Sequence, residues 1–299
     1  MGQKVSRRVW TRSFGKTDVG RTRARNEDCF LIADLTPGVA IRDSIACEFE
    51  LGQRGSLFVV ADGMGGAAAG ALASAMATDT IYSHLSESWR GEREVTPERF
   101  VHRLTEALEV ANGHIHSHAA SRPELRGMGT TATAAGLLGD HVFLAQVGDS
   151  RAYLVRDGEA YQLTKDQSLV QRLIDAGELT DAEAAAGGRR NVILQALGPA
   201  PQVRVELTYQ QVRRGDILVL CSDGLSSLVK PAEIARIAAT EVEIATACER
   251  LIALANQKGG TDNITAVLVR LAGDGLPPPG QDEVTYRPYR GQVLKYDKR

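Results

Sequence analysis

Short apolar runs rich in Val, Ile, Leu and Phe recur along this chain, each bounded by glycine, asparagine, aspartate or proline. That is the pattern of buried β-strands between turns, and it predicts strands at 29–34, 57–61, 131–138, 141–147, 152–155, 203–207, 217–220 and 264–271. Between 131–138 and 141–147 stands only Gly139-Asp140, too short for a parallel crossover, so these strands pair antiparallel. Small, alanine-rich residues predict a helix over 67–85, and Thr96-Pro97-Glu98 opens a second that runs to 118. Further helices are expected over 169–176, from Pro231, and over 241–257. Gly66 and Gly70 match a membrane G-x-x-x-G, but Ser74, Thr78 and Asp79 exclude a span. Antiparallel strands with helices before and after them give a layered α+β domain.

The periodic pattern bounds the domain. Residues 1–14, where Lys4, Arg7, Arg8 and Arg12 precede any acid, are expected to form a flexible basic arm. One folded domain spans 15–272, with an irregular excursion over 35–55. Its stretch 167–198, holding Gly187-Gly188-Arg189-Arg190, breaks the strand rhythm and is expected to be a flap or a surface insertion. After Gly273, Pro277-Pro278-Pro279-Gly280 predicts a flexible tail over 273–299.

Composition narrows the class. The chain is 43% hydrophobic and 24% charged with a net charge of -2, which gives no case for nucleic acid or a membrane surface as partner. Cys29, Cys47, Cys221 and Cys248 are scattered and form no C-x-x-C, as expected of free thiols in a reducing compartment. No signal peptide and no membrane span are expected, which places the protein in the cytoplasm. His114, His116 and His118 do not share one helix face and are read as a polar surface.

The chemistry lies where the strands end. Asp62 closes the 57–61 run and is followed by three glycines within four residues, Asp223-Gly224 closes 217–220, and Asp149 follows 141–147. Glu27-Asp28 precedes the first predicted strand and Asp262-Asn263 precedes the last. Carboxylates converging at five strand ends repel one another unless a cation neutralises them, so they read as one metal site. No His or Cys cluster accompanies them, which favours Mg²⁺ or Mn²⁺ over zinc. Arg21, Arg23 and Arg25 before Glu27 offer bidentate phosphate recognition. With no Walker A, no G-x-S-x-G and no cysteine-nucleophile motif, the residues favour a metal-activated water acting on a phosphate ester.

The ordered motifs Arg-x-x-Asn-Glu-Asp from Arg23, Val-Ala-Asp-Gly-Met-Gly-Gly from Val60, Gly-Thr-Thr from Gly129, Val-Gly-Asp-Ser-Arg from Val147, Thr-Lys-Asp-x-Ser from Thr164, Cys-Ser-Asp-Gly-Leu from Cys221 and Gly-Gly-Thr-Asp-Asn-Ile-Thr from Gly259 resemble the metal-dependent serine/threonine protein phosphatases of type 2C. They cover about residues 15–271, and Met64 resembles the bacterial branch. The resemblance implies an α/β/β/α sandwich, two antiparallel sheets flanked by helices, with a flap after Ser168. It implies hydrolysis of phosphoserine and phosphothreonine in proteins at a binuclear Mn²⁺ or Mg²⁺ centre, opposing a cognate Ser/Thr kinase, by a monomer. In it Asp62 would bridge two tightly held metals, Gly63 would offer its carbonyl to one, and Asp223 and Asp262 would hold the other. Glu27 would serve the Gly63 metal, Asp28 would support the pair, and Asp149 with Asp223 would hold a third, weaker cation. Arg23 would bind phosphate, with Arg21 and Arg25 as alternatives for that role, and Asn263 would stand behind the ligands.

Two positions depart from the family pattern. Met64 replaces a histidine found outside the bacterial branch and cannot donate a proton, so leaving-group protonation falls to a metal-bound water or another residue. Gln167 stands where histidine is common and is assigned no role. Two other functions remain open on sequence grounds. The presence of Asp62, Asp223 and Asp262 argues against a catalytically dead phosphoprotein-binding module. The motifs do not separate protein substrates from small phosphorylated metabolites.

Overall fold

Strands buried on both faces need cover on both sides, and the architecture supplies it in four layers. The structure, a computed structural model, describes residues 8–180, 183–184, 192–280 and 283–291. One sheet has six strands in the order β10 (Glu159–Gln162), β9 (Arg151–Arg156), β12 (Ile217–Cys221), β13 (Ile264–Ala272), β1 (Trp10–Asp18) and β4 (Cys47–Glu50). The other has seven: β11 (Glu206–Gln211), β8 (His141–Val147), β7 (Ala132–Leu138), β5 (Ser56–Met64), β2 (Asp28–Asp34) and β3 (Val39–Ile41), with β6 (Gly129–Thr130) pairing beside β5. The two sheets pack face to face through Phe30, Phe58, Leu144, Leu154 and Val267. Helices α1 (Ala67–Arg90) and α2 (Pro97–Ala120) cover the outer face of the seven-stranded sheet. Short helices α3 (Leu169–Asp175) and α4 (Asp223–Ser226) follow β10 and β12, and α5 (Pro231–Thr240) and α6 (Ile244–Gln257) cover the other outer face. The expected α+β sandwich is the observed one.

Local sequence explains the elements. Every residue of β7 and β8 is buried, which is why both read as unbroken apolar runs. Helix α2 starts where expected: Pro97 occupies its first turn and the Thr96 hydroxyl accepts from the Arg99 N–H. Close packing of α2 on the sheet depends on Gly136, where a Cβ would collide with the Phe100 ring.

Three expectations need correction. The basic arm is not free over its described part. Strand β1 pairs with β13 from Trp10↔Ala272 to Asp18↔Ile264, and its N-terminal half also pairs with β4. Its buried positions include Thr11 and Ser13, both 0% exposed, so no apolar alternation marked it. The excursion 35–55 contributes β3 and β4. The tail also returns to the body. Gly275 N–H donates to the Arg8 carbonyl at 2.9 Å, and Leu276 and Val284 enter the layer between the sheets. Tyr289 N–H donates to Leu207 O at 2.8 Å and Tyr209 N–H donates to Arg287 O at 3.1 Å, so this segment borders edge strand β11. Gly187-Gly188-Arg189-Arg190 of the flap lies outside the described residues.

The Tyr289 ring packs edge-on against Phe143 and Tyr209, while its hydroxyl is buried with no partner. Tyr289→Ala should therefore destabilise the protein by about 1–3 kcal/mol, and Tyr289→Phe should cost nothing or stabilise slightly. Urea unfolding of both variants checks this; a tail without structural role would leave both at the parental midpoint.

Candidate metal centre

In an antiparallel sheet the end of one strand lies beside the start of its neighbour, so acids at strand ends and starts collect on one edge. Register Asp28↔Asp62 puts the start of β2 against the end of β5. The end of β12 lies beside the start of β13, which gathers Asp223 and Asp262. Gly148-Asp149-Ser150 is the crossing from β8 in one sheet to β9 in the other. A cleft of about 460 Å³ opens at this edge and is lined by Glu27, Asp62, Gly63, Asp149, Asp223, Asp262 and Asn263. Arg23 also lines it, whereas Arg21 and Arg25 do not. Met64 forms part of the wall, as do Val192 and Ile193 from the 167–198 stretch. Asp28 does not line the cleft; it is paired beside Asp62 across β2 and β5.

Asp62, Asp28, Glu27 and Asp262 are supported through their surroundings. Asp62 is fixed by its main chain: its N–H donates to Thr131 Oγ1 at 3.0 Å, and its carbonyl accepts from Thr131 N–H at 2.8 Å and Thr130 Oγ1 at 2.9 Å. Asp28 Oδ2 accepts from Ser222 Oγ at 2.8 Å and Thr265 Oγ1 at 2.7 Å. Glu27 N–H donates to Asn263 Oδ1 at 2.8 Å, and Asn263 Nδ2 donates to the carbonyls of Val19 and Arg25 at 3.0 and 2.9 Å. Asn263 thus pins both ends of the arginine turn. Arg23 Nη2 donates to Asp262 Oδ2 at 2.7 Å. A Cβ on Gly63 would strike the Gly70 carbonyl, and one on Gly70 would strike the Glu27 carboxylate. These glycines let β5, the Glu27 loop and α1 meet around the cleft. Thr130, Thr131, Ser222 and Thr265 were quoted within sequence motifs without a role. Their partners belong to other strands, and no spacing along the chain reveals them.

Burial, then the neighbouring charges of Asp28, Asp223, Asp149 and Asp262, pushes the Asp62 carboxyl well above the usual carboxylate range. Burial lifts Asp28 to about 7 against the pull of the Thr265 and Ser222 hydroxyls. Asp149 is also raised to about 7, by burial and then by the charge of Asp223. Asp223 rises through burial and then Asp262, and Glu27 through burial. Among the described residues no three His, Cys, Asp or Glu side chains form a preformed metal cage. The donor chemistry nevertheless fits hard divalent cations, which keep several waters and take few protein ligands each. The donors are carboxylates and a glycine carbonyl, and Oδ1 of Asp149 and of Asp223 is buried without a hydrogen-bond partner.

Comparison with known proteins places the sequence and the fold. Residues 36–258 match the family model described as Protein phosphatase 2C. The chain is 37% identical over 255 residues to the serine/threonine phosphatase stp of Listeria innocua, covering 85% of this chain and 93% of that one. It superposes on the crystal structure of the Mycobacterium tuberculosis serine/threonine phosphatase PstP/Ppp with a TM-score of 0.73 and 36% identity, covering 88% of this chain and 99% of that one. A structure of the PstP catalytic domain in complex with two manganese ions matches with a TM-score of 0.71 and 35% identity, over 88% of this chain and 99% of that one.

The raised carboxyls make metal-free stability depend on pH. Asp28 and Asp149 hold their protons more tightly folded than unfolded, so their contribution to stability is lost as pH rises from about 4 through about 7. Melting in EDTA should drop steadily from pH 5 to 7, and Mn²⁺ added at pH 7.5 should restore the loss. Asp62→Asn removes one of the repelling charges and should raise the metal-free melting temperature at pH 7. A pH-independent melt, or a lowered one in Asp62→Asn, would show that the acids do not repel as described.

Proposed function

Because the chain belongs to the protein phosphatase 2C family, we propose that it hydrolyses phosphoserine and phosphothreonine in proteins, reversing the action of a Ser/Thr kinase. The observation that carries this reading is the meeting of Glu27, Asp62, Asp149, Asp223 and Asp262 with Arg23 in one cleft. Asp62, Glu27, the Gly63 carbonyl, Asp223 and Asp262 would hold two Mn²⁺ or Mg²⁺ ions, and Asp149 with Asp223 a third, weaker one. When bound, these cations neutralise the phosphate and acidify the attacking water.

The chain's own residues divide the remaining work. Arg23 presents a planar guanidinium to the phosphate oxygens. Its bond to Asp262 holds it at the cleft before substrate arrives. Asp28 keeps Asp62 in register from the paired strand, its own carboxylate held by two hydroxyls. Asn263 fixes the turn that carries Arg23. Met64 fills wall space and supplies no proton. No helix among the described residues is long and apolar enough to cross a membrane, and the four cysteines are free. Free thiols suit a reducing compartment, and we place the reaction in the cytoplasm, on kinase substrates there.

Phosphothreonine peptides should be cleaved with Mn²⁺ or Mg²⁺ present and not after exhaustive EDTA treatment. A panel of phosphopeptides and small phosphorylated metabolites separates the substrate classes. Faster turnover of a metabolite than of every peptide would overturn the protein-phosphatase assignment, and full activity in EDTA would overturn the metal chemistry.

Arg23→Ala should lower kcat/KM about 10- to 150-fold, the loss of a charge-assisted hydrogen bond. Arg21→Ala and Arg25→Ala, which lie outside the cleft, should stay close to the parent. The reverse order would place the phosphate on another part of the turn.

A further inference from the structure

Asp149 is carried by the turn between β8 and β9. Like Oδ1 of Asp28 and of Asp223, its Oδ1 is buried with no hydrogen-bond partner, and the main chain on either side places the residue. Gly148 before it has φ of 106° and lies so close to Thr131 that a Cβ would clash. Gln167 meets both main-chain groups of Gly148, sharing the carbonyl with Gln146 Nε2 at 3.2 Å. The Gly148 N–H donates to Gln167 Oε1 at 2.9 Å, and the Gly148 carbonyl accepts from the Gln167 N–H at 2.9 Å. Gln167 is anchored on its far side as well: Nε2 donates to Arg204 O at 3.3 Å, and its carbonyl accepts from Leu194 N–H at 2.8 Å. Val192 and Ile193, which wall the cleft, immediately precede Leu194, and Ile193 pairs with Ser168 beside Gln167. Arg151 grips Asp166 through two bonds of 2.8 and 2.7 Å, which ties the chain after Asp149 to the residue before Gln167.

We infer that Gln167 is the positioning residue for Asp149: its amide fixes the Gly148 turn and joins it to the segment that walls the cleft. The inference rests on the phosphatase reading, in which Asp149 helps hold the weaker cation. Gln167 carried no role in the sequence, but its side chain accepts toward the turn and donates toward Arg204 at the same time. A neutral amide does this without change across the pH range of the reaction. An apolar side chain of equal length does neither.

The test uses Gln167→Met, which keeps length and loses both bonds, and Gln167→Glu, which keeps an acceptor for Gly148. Gln167→Asn, too short to reach the turn, repeats the loss without an apolar side chain and serves if Gln167→Met unfolds in a metal-free melt. Readouts are Mn²⁺ titration by calorimetry and kcat and KM on a phosphothreonine peptide. Gln167→Met should weaken the weakest Mn²⁺ binding step and lower kcat, each about 10-fold, with KM and the tighter steps unchanged. Gln167→Glu should remain within about 3-fold of the parent. In an Asp149→Ala background Gln167→Met should add nothing, as for residues acting as a unit. Unchanged weak binding and kcat, a loss confined to KM, or a loss fully additive with Asp149→Ala overturns the inference. If Asp149→Ala alone changes neither readout, the weak-cation role of Asp149 fails and this inference with it. A chain that binds no Mn²⁺ and cleaves no phosphopeptide overturns the phosphatase reading itself.

Discussion

Negative charge buried at one edge of the sandwich is the constraint that organises this protein. Asp28 and Asp62 face each other across β2 and β5, with Asp149, Asp223 and Asp262 close enough to raise the Asp62 carboxyl further. Like charges in a low-dielectric setting disfavour ionisation and the fold that imposes it. The devices around them limit that cost without abolishing it. Hydroxyls of Ser222 and Thr265 hold Asp28, main-chain bonds to Thr130 and Thr131 hold Asp62, and Arg23 answers Asp262. None of these donors aims at the unpartnered Oδ1 atoms of Asp149 and Asp223. Two apolar layers outside the sheets and one between them supply the stability that lets the edge stay strained.

Much of this was legible along the chain because it depends on local pattern. Apolar runs marked β5, β7, β8, β12 and β13, and the acids at their ends were visible because charge interrupts such runs abruptly. Strand β1 was not legible, since its buried face carries Thr11 and Ser13 where a core strand usually carries Val or Ile. The tail misled for the opposite reason: its composition is that of a linker, and a few anchors, Leu276, Val284 and Tyr289, tie it down without any period. In the site, ligand-type acids announced themselves; of the residues that hold them, Asn263 was expected behind the ligands from the resemblance, whereas Ser222, Thr265, Thr130, Thr131 and Gln167 were given no role. Asn263 joins Glu27 to the arginine turn, and Gln167 joins Gly148 to Arg204, through contacts between segments far apart in sequence.

The acids also differ in what carries them. Asp62 hangs from a strand hydrogen-bonded on both sides, and the Thr130-Thr131 contacts extend that ladder beyond the last core residue. Asp223 starts a short helix directly after β12, and Gly224 there allows the Asn263 carbonyl to approach where a Cβ would clash. Asp149 sits on a tight turn that crosses from one sheet to the other; Gln146 of β8 holds the carbonyls on either side of it, and the rest of its support comes from 166–168, a segment belonging to neither sheet. Elements outside the sheet ladders open at lower free energy than core strands. A cation shared by Asp62 and Asp223 would draw on the rigid part of the fold, while one dependent on Asp149 would draw on a part free to adjust. Were cations held as proposed, that asymmetry would make the one dependent on Asp149 the weaker, before any difference in ligand number is considered.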